Sequence, residues 1–150
     1  MMKSLWIAFV AAAFLPISAA ELNYGPDSEE WKLLYDPPFK KPGEVPKGSE
    51  LRKELFDLAR PKLEKLAKQP LLFSGSLKAY RNWALFTGVS VDKAGNEIAF
   101  PEDGNSDTVI LWIRTVEGWK VVDFAGGHSD VFYEIWPEQY GMPLPLLNAP

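Results

Sequence analysis

The chain contains no cysteine. That excludes disulfides, a thiolate nucleophile, cysteine-ligated metal and a lipidated cysteine at a processing site. It contains one histidine, His128, so a metal site would rest on oxygen ligands. No apolar stretch reaches the roughly 20 residues that span a bilayer, and the run Leu5–Ile17 falls short of it. A one-sided basic face is missing as well. The formal net charge is −4, and Lys47–Lys68 interleaves seven basic residues with four acidic ones. Nucleic acid rewards a one-sided basic surface, so it is not the expected partner. Internal repeats and low-complexity segments are also absent.

What is present begins with a leader. Lys3 precedes the apolar run, and Ser18 and Ala20 occupy the −3 and −1 positions of a cut before Glu21. This order of parts predicts a secretory signal peptide over 1–20, with no membrane anchor after cleavage. Cleavage removes only Lys3 among the charges and leaves 15 basic against 20 acidic residues, net −5. Residues 21–150 suit one domain, large enough to hold a core without staples. An exported domain without cysteine is ordinary in a bacterial periplasm and less usual among small eukaryotic secreted domains. The expected location is periplasmic or secreted.

Residues 21–48 are irregular. Asp27 and Glu30 have capping-box spacing, which predicts a short helix near Ser28–Tyr35. Pro37, Pro38, Pro42 and Pro46 keep the chain extended beyond it. Trp31, Leu34, Tyr35 and Phe39 are too apolar for a free linker, so the segment reads as a Pro-rich arm that wraps the domain. A single α+β domain is expected over 49–150. Ser49 suits an N-cap. Leu51, Leu55, Leu58, Ala59, Leu63, Leu66 and Ala67 recur at helical spacing. Arg60–Glu64 and Glu64–Lys68 are opposite charges four apart. Pro61 is expected to kink or split this helix. After Pro70 the period changes to two. Strands are expected over 71–80, 83–92, 108–116 and 119–125, with a hairpin return over 94–100 and a tight turn at Glu117-Gly118. In the strand 108–116, Val109, Leu111 and Ile113 share one face, and Ile110, Trp112 and Arg114 share the other.

One long amphipathic helix followed by four to five antiparallel strands is an α+β pattern. It resembles the cystatin-like and NTF2-like rolls, in which a helix packs on a curved antiparallel sheet, here with an extended N-terminal arm and short C-terminal helical turns expected. A closer resemblance rests on Leu51, Arg52, Arg60 and Pro61 in the helix and Trp83-Ala84 at a strand start. It continues with Trp119, Gly127, Ser129, Asp130 and Val131, then Trp136, Tyr140, Gly141 and Pro143. In that order these residues are similar to a family of small exported bacterial proteins without an assigned activity. The resemblance implies export and one compact fold and names no reaction.

The stretch Phe124–Gly141 holds His128, Ser129 and Asp130 in succession. A Ser–His–Asp relay needs one histidine nitrogen on a serine hydroxyl and the other on a carboxylate. Three consecutive side chains diverge on a strand and fan around a helix, and no nucleophile elbow is present. The stretch therefore reads as a turn. Gly126 and Gly127 supply positive φ, Ser129 or Asp130 caps the next turn, Pro137 starts a short helix that Gly141 stops, and Leu144, Leu146 and Leu147 dock on the domain. The acidic loop with Glu102, Asp103, Asn105 and Asp107 lacks EF-hand spacing and reads as a solvated turn. No metal and no cofactor is expected.

The aromatics Trp83, Trp112, Trp119, Trp136, Tyr80 and Tyr133 suit either a groove for a sugar or apolar ligand or an aromatic core, and Trp83 and Trp119 read as core. Trp112 beside Arg114, with His128 at the end of the adjoining strand, is the expected exposed patch. The binding residues to test are therefore Trp112, Arg114, His128, Asp130 and Tyr133. The functional expectation is a non-catalytic module that engages a periplasmic protein or cell-envelope partner through the open sheet face. A second reading is a small NTF2-like enzyme or ligand-binding protein with Asp123 as a carboxylate inside the apolar strand "VVDFA". A third is an inhibitor or immunity protein against a cell-envelope enzyme.

Overall fold

The computed structural model describes residues 38–102, 104–128 and 132–148. The expected signal peptide and the helix near Ser28–Tyr35 lie outside the described residues, as do Asp103, Ser129, Asp130 and Val131. Five antiparallel strands lie side by side in chain order. They are β1 (Phe39–Glu44), β2 (Leu72–Arg81), β3 (Trp83–Val91), β4 (Asp107–Thr115) and β5 (Gly118–Gly126), and α1 (Glu50–Ala67) separates β1 from β2. A 3-10 turn (Phe132–Ile135), α2 (Trp136–Tyr140) and α3 (Pro145–Asn148) follow among the described residues.

Ser49 starts α1 as an N-cap, its hydroxyl accepting the Arg52 amide at 3.2 Å. Lys68 ends it in the left-handed region, with its N–H on the Glu64 carbonyl at 2.7 Å. The helix runs unbroken through Pro61. Proline deprives the Asp57 carbonyl of a donor, and both residues sit on the exposed side where water can replace it. The buried seam is Arg52, Leu55, Phe56, Ala59, Leu63 and Ala67. It is rotated from the expected stripe, because Leu58 and Leu66 are 39% and 45% exposed while Phe56 turns inward. The reason is the aromatic pocket that receives Phe56. Its ring lies 5.1 Å from Phe73, 5.2 Å from Phe86 and 6.1 Å from Trp112. Burying a side chain of this size stabilises the fold by about 1.5–3 kcal/mol. The expected Arg60–Glu64 pairing is replaced by a clamp on one residue: Arg60 Nε donates to the Leu71 carbonyl at 3.1 Å, and Glu64 accepts the Leu71 N–H at 2.9 Å. This clamp sets where β2 leaves the helix.

The fifth strand is not the expected hairpin return. It is β1, drawn from the Pro-rich arm and paired with β2 through Gly43↔Ala79 and Glu44↔Lys78. Pro42 is tolerated because β1 is an edge, where one row of donors has no ladder partner to lose. Residues 94–100 make only an isolated bridge, Val91↔Glu97. Asp92 turns the chain first, its carboxylate accepting the Ala94 and Asn96 amides at 2.9 Å. The loop then folds over the helix-side core and plugs it with Ile98 and Phe100, 7% and 2% exposed. Phe100 packs against Gly126, where a Cβ would sit 2.4 Å from the ring. Close approach, not positive φ, is therefore what Gly126 supplies. The turn between β4 and β5 is Val116-Glu117, one residue earlier than expected, since Thr115 pairs with Gly118.

The sheet carries a core on each face. Toward α1 lie Leu77, Ala79, Ala84, Phe86, Ile110 and Trp112. On the second face lie Trp83, Leu85, Val109, Leu111, Ile113 and Val122, under Trp136, Met142 and Leu146 from the C-terminal elements. The division within β4 follows the expected alternation. The second face is accordingly not open over this part. Leu146 is buried as expected of the tail, whereas Leu144 is 60% exposed.

Candidate functional site

Register decides which candidate residues can act together. Arg114 pairs with Trp119 near the β4–β5 turn, and Thr108 pairs with Gly126 at the other end of the same ladder. Six residue steps at about 3.4 Å place Arg114 roughly 20 Å from the β5 exit. His128 follows that exit. Arg114 and His128 therefore occupy opposite ends of the sheet and do not form one patch. Trp112 leaves the surface altogether. It is fully buried beneath α1, and its Nε1 donates to the Leu55 carbonyl at 2.9 Å. A tryptophan on the helix face of a central strand is covered by the helix, and the indole N–H found the partner that burial demands. Tyr133 is half-buried beside Trp136, ring centres 6.2 Å apart, and belongs to the second core. His128 is exposed. Asp130 lies outside the described residues.

Asp123 sits on the face away from α1. The ladder shifts register between Leu111 and Trp112, which pair with Asp123 and Val121. Val122 is the extra residue of a bulge, and Val122 and Asp123 both turn to the second face. The Asp123 carboxylate accepts the Phe124 amide at 2.7 Å and the Tyr140 hydroxyl at 2.6 Å. Partial burial, and then the hydrogen bond and charge of Asp123, push the Tyr140 hydroxyl up to about 12. Both carboxylate oxygens thus hold structural donors, the reverse of an apolar pocket around a free base. Nothing in the sequence identified Tyr140 as this partner, because contact 17 residues away depends on how the tail folds back.

A different feature emerges at the end of the sheet that His128 shares. Residues 69–72, leaving α1, and residues 91–94, leaving β3, line a cleft of about 430 Å³. The pair Leu72↔Val91 forms its sheet side, and Leu72 is 44% exposed there. Pro70 and Ala94 are apolar walls, while Gln69 and Lys93 supply polar groups. Asp92 is engaged by its turn: the Asn96 amide, ahead of the other donors, holds its carboxyl below the usual range. Such a lining can receive an aliphatic or aromatic group and orient it by hydrogen bonds. Its two charged groups are Asp92, engaged by its own turn, and Lys93. Among the described residues no group of three or more histidine, cysteine, aspartate or glutamate side chains is placed to hold a metal ion. Among the same residues no helix is long and apolar enough to cross a membrane.

No family model, curated protein or solved structure matches the chain.

Proposed function

We propose that this protein is an exported, periplasmic or secreted binding module that engages a protein partner of the cell envelope without catalysing a reaction. The observation that carries this reading is the apolar cleft at 69–72 and 91–94, with Leu72 exposed in its lining. A half-exposed leucine beside proline and alanine, flanked by Gln69 and Lys93, suits an apolar side chain from a partner segment with polar groups around it. His128 lies at the same end of the sheet and extends the contact surface. Arg114 lies at the other end and serves as the control. We also read the helix and sheet as a roll of the cystatin-like or NTF2-like kind, an architecture that by itself selects no function.

The test is crosslinked capture of tagged protein from the cell envelope, read by mass spectrometry. A single stoichiometric partner should be captured by the wild type, lost with Leu72→Glu, weakened with His128→Ala and retained with Arg114→Ala. Capture that survives Leu72→Glu and disappears with Arg114→Ala would move the surface to the opposite end of the sheet.

A further inference from the structure

β5 is the last strand of the sheet, so one row of its backbone groups has no ladder partner among the described residues. The Gly127 N–H donates to the Asp107 carbonyl at 2.6 Å. In an antiparallel ladder, hydrogen-bonded and non-bonded pairs alternate. Val109↔Ala125 and Leu111↔Asp123 are then bonded pairs, and Ile110↔Phe124 is not. The Phe124 N–H therefore points away from β4 toward the free edge. An edge donor of this kind is a template for pairing with another chain. Here it is closed by the Asp123 carboxylate at 2.7 Å. The other oxygen of the same carboxylate holds the Tyr140 hydroxyl at 2.6 Å. Tyr140 ends α2, whose Trp136 is 1% exposed on the second face, and Met142 and Leu146 follow at 2% each.

We infer that Asp123 and Tyr140 form a latch: one carboxylate closes the free edge of the sheet and also fastens the C-terminal elements over its second face. Opening the latch would uncover two adhesive features together, the Phe124 donor on β5 and the apolar surface of Trp83, Leu85 and Leu111. The bulge at Val122 makes this possible. Without the extra residue, strict alternation would place Asp123 on the face opposite Val122, away from Tyr140. The contrast with β1 supports the assignment. That edge carries Lys40, Lys41 and Pro42 along the strand itself, residue types that blunt an edge, whereas the protection of β5 depends on the tail.

Amide exchange of the purified protein tests the latch. Gly141, Leu146 and Leu147 have their N–H groups bonded within the tail and report on its closure. Phe124 reports on the edge, and Ala59 and Leu63 inside α1 report on global unfolding. A hydrogen bond to a charged group justifies an acceleration of about tenfold or more. Tyr140→Phe should speed exchange at Gly141, Leu146 and Leu147, with Ala59 and Leu63 remaining the slowest amides. Asp123→Ala should do the same and also speed exchange at Phe124. Tail amides that stay at wild-type rates in both variants, or that exchange as slowly as those of α1, would overturn the latch. An unchanged Phe124 amide in Asp123→Ala would overturn its role at the edge.

Discussion

The two faces of the sheet are sealed by different means. The face toward α1 is covered by one continuous helix, whose Phe56 ring contacts Phe73, Phe86 and Trp112. Even its buried cation is bonded: Arg52 donates to the Val45 and Gly75 carbonyls at 3.4 and 3.3 Å and lies 5.0 Å over the Phe56 ring. The second face is covered by short turns that cannot hold a helical conformation alone. They depend on Trp136, Met142 and Leu146 for apolar anchorage and on Tyr140 for a polar one. A long helix carries its own backbone bonds to the interface, while short turns exist only where the sheet accepts them. The first face should therefore unfold with the whole domain, and the second should open before it.

The largest effect expected on this contrast comes from the helix face. Trp112→Ala should remove about 3–5 kcal/mol of stability, the range for deleting a buried tryptophan, as read from urea unfolding. Trp136→Ala should cost less in the same measurement, about 3 kcal/mol at most, because local opening of the tail limits what the whole fold can lose. Dye binding to apolar surface should rise more in this variant than in Trp112→Ala under native conditions. Equal losses, with no difference in dye binding, would show the two faces to be one cooperative unit. Gly126→Ala tests the plug between β5 and the 92–106 loop. A methyl group against the Phe100 ring should cost about 1–3 kcal/mol by overpacking, as read from the thermal midpoint.

The smallest effect is a dependence on alkaline pH. Tyr140 holds its proton to about 12, against an ordinary 10.0. Its contribution is complete below about 10 and is lost as pH rises toward 12, because over that interval the folded state binds the proton that the unfolded state releases. The wild type should therefore lose stability faster than Tyr140→Phe between those values. Parallel slopes for the two proteins would show that the hydroxyl is not coupled to folding.

Much of the helix face was legible from residue spacing. Ser49 as the cap, the helical repeat through Leu55, Ala59 and Leu63, and the alternation in β4 all follow from local geometry. The rotation of α1 was not, because it depends on which ring the sheet can accommodate, and Phe56 lies just beside the expected stripe. The strand in the arm was obscured by Pro42, which argues against a central strand and says nothing against an edge. The candidate site was less legible still. Trp112 and Arg114 share a face by alternation, as expected, but exposure depends on where α1 lies across that face. His128 was placed near Arg114 because β5 adjoins β4, yet antiparallel pairing puts the exit of β5 beside the start of β4.

Composition and local pattern alone determined the absence of thiol chemistry, the start of α1 at Ser49, the alternation of β4 and the α+β class, since each depends on residues close in sequence. Only the tertiary structure decided that β1 completes the sheet, that Trp112 is core, that residues 69–72 and 91–94 enclose a cleft, and that Asp123 meets Tyr140. Those four depend on which distant segments win the limited sheet surface, a competition settled by packing volume and hydrogen-bond satisfaction and not by the period of any one segment.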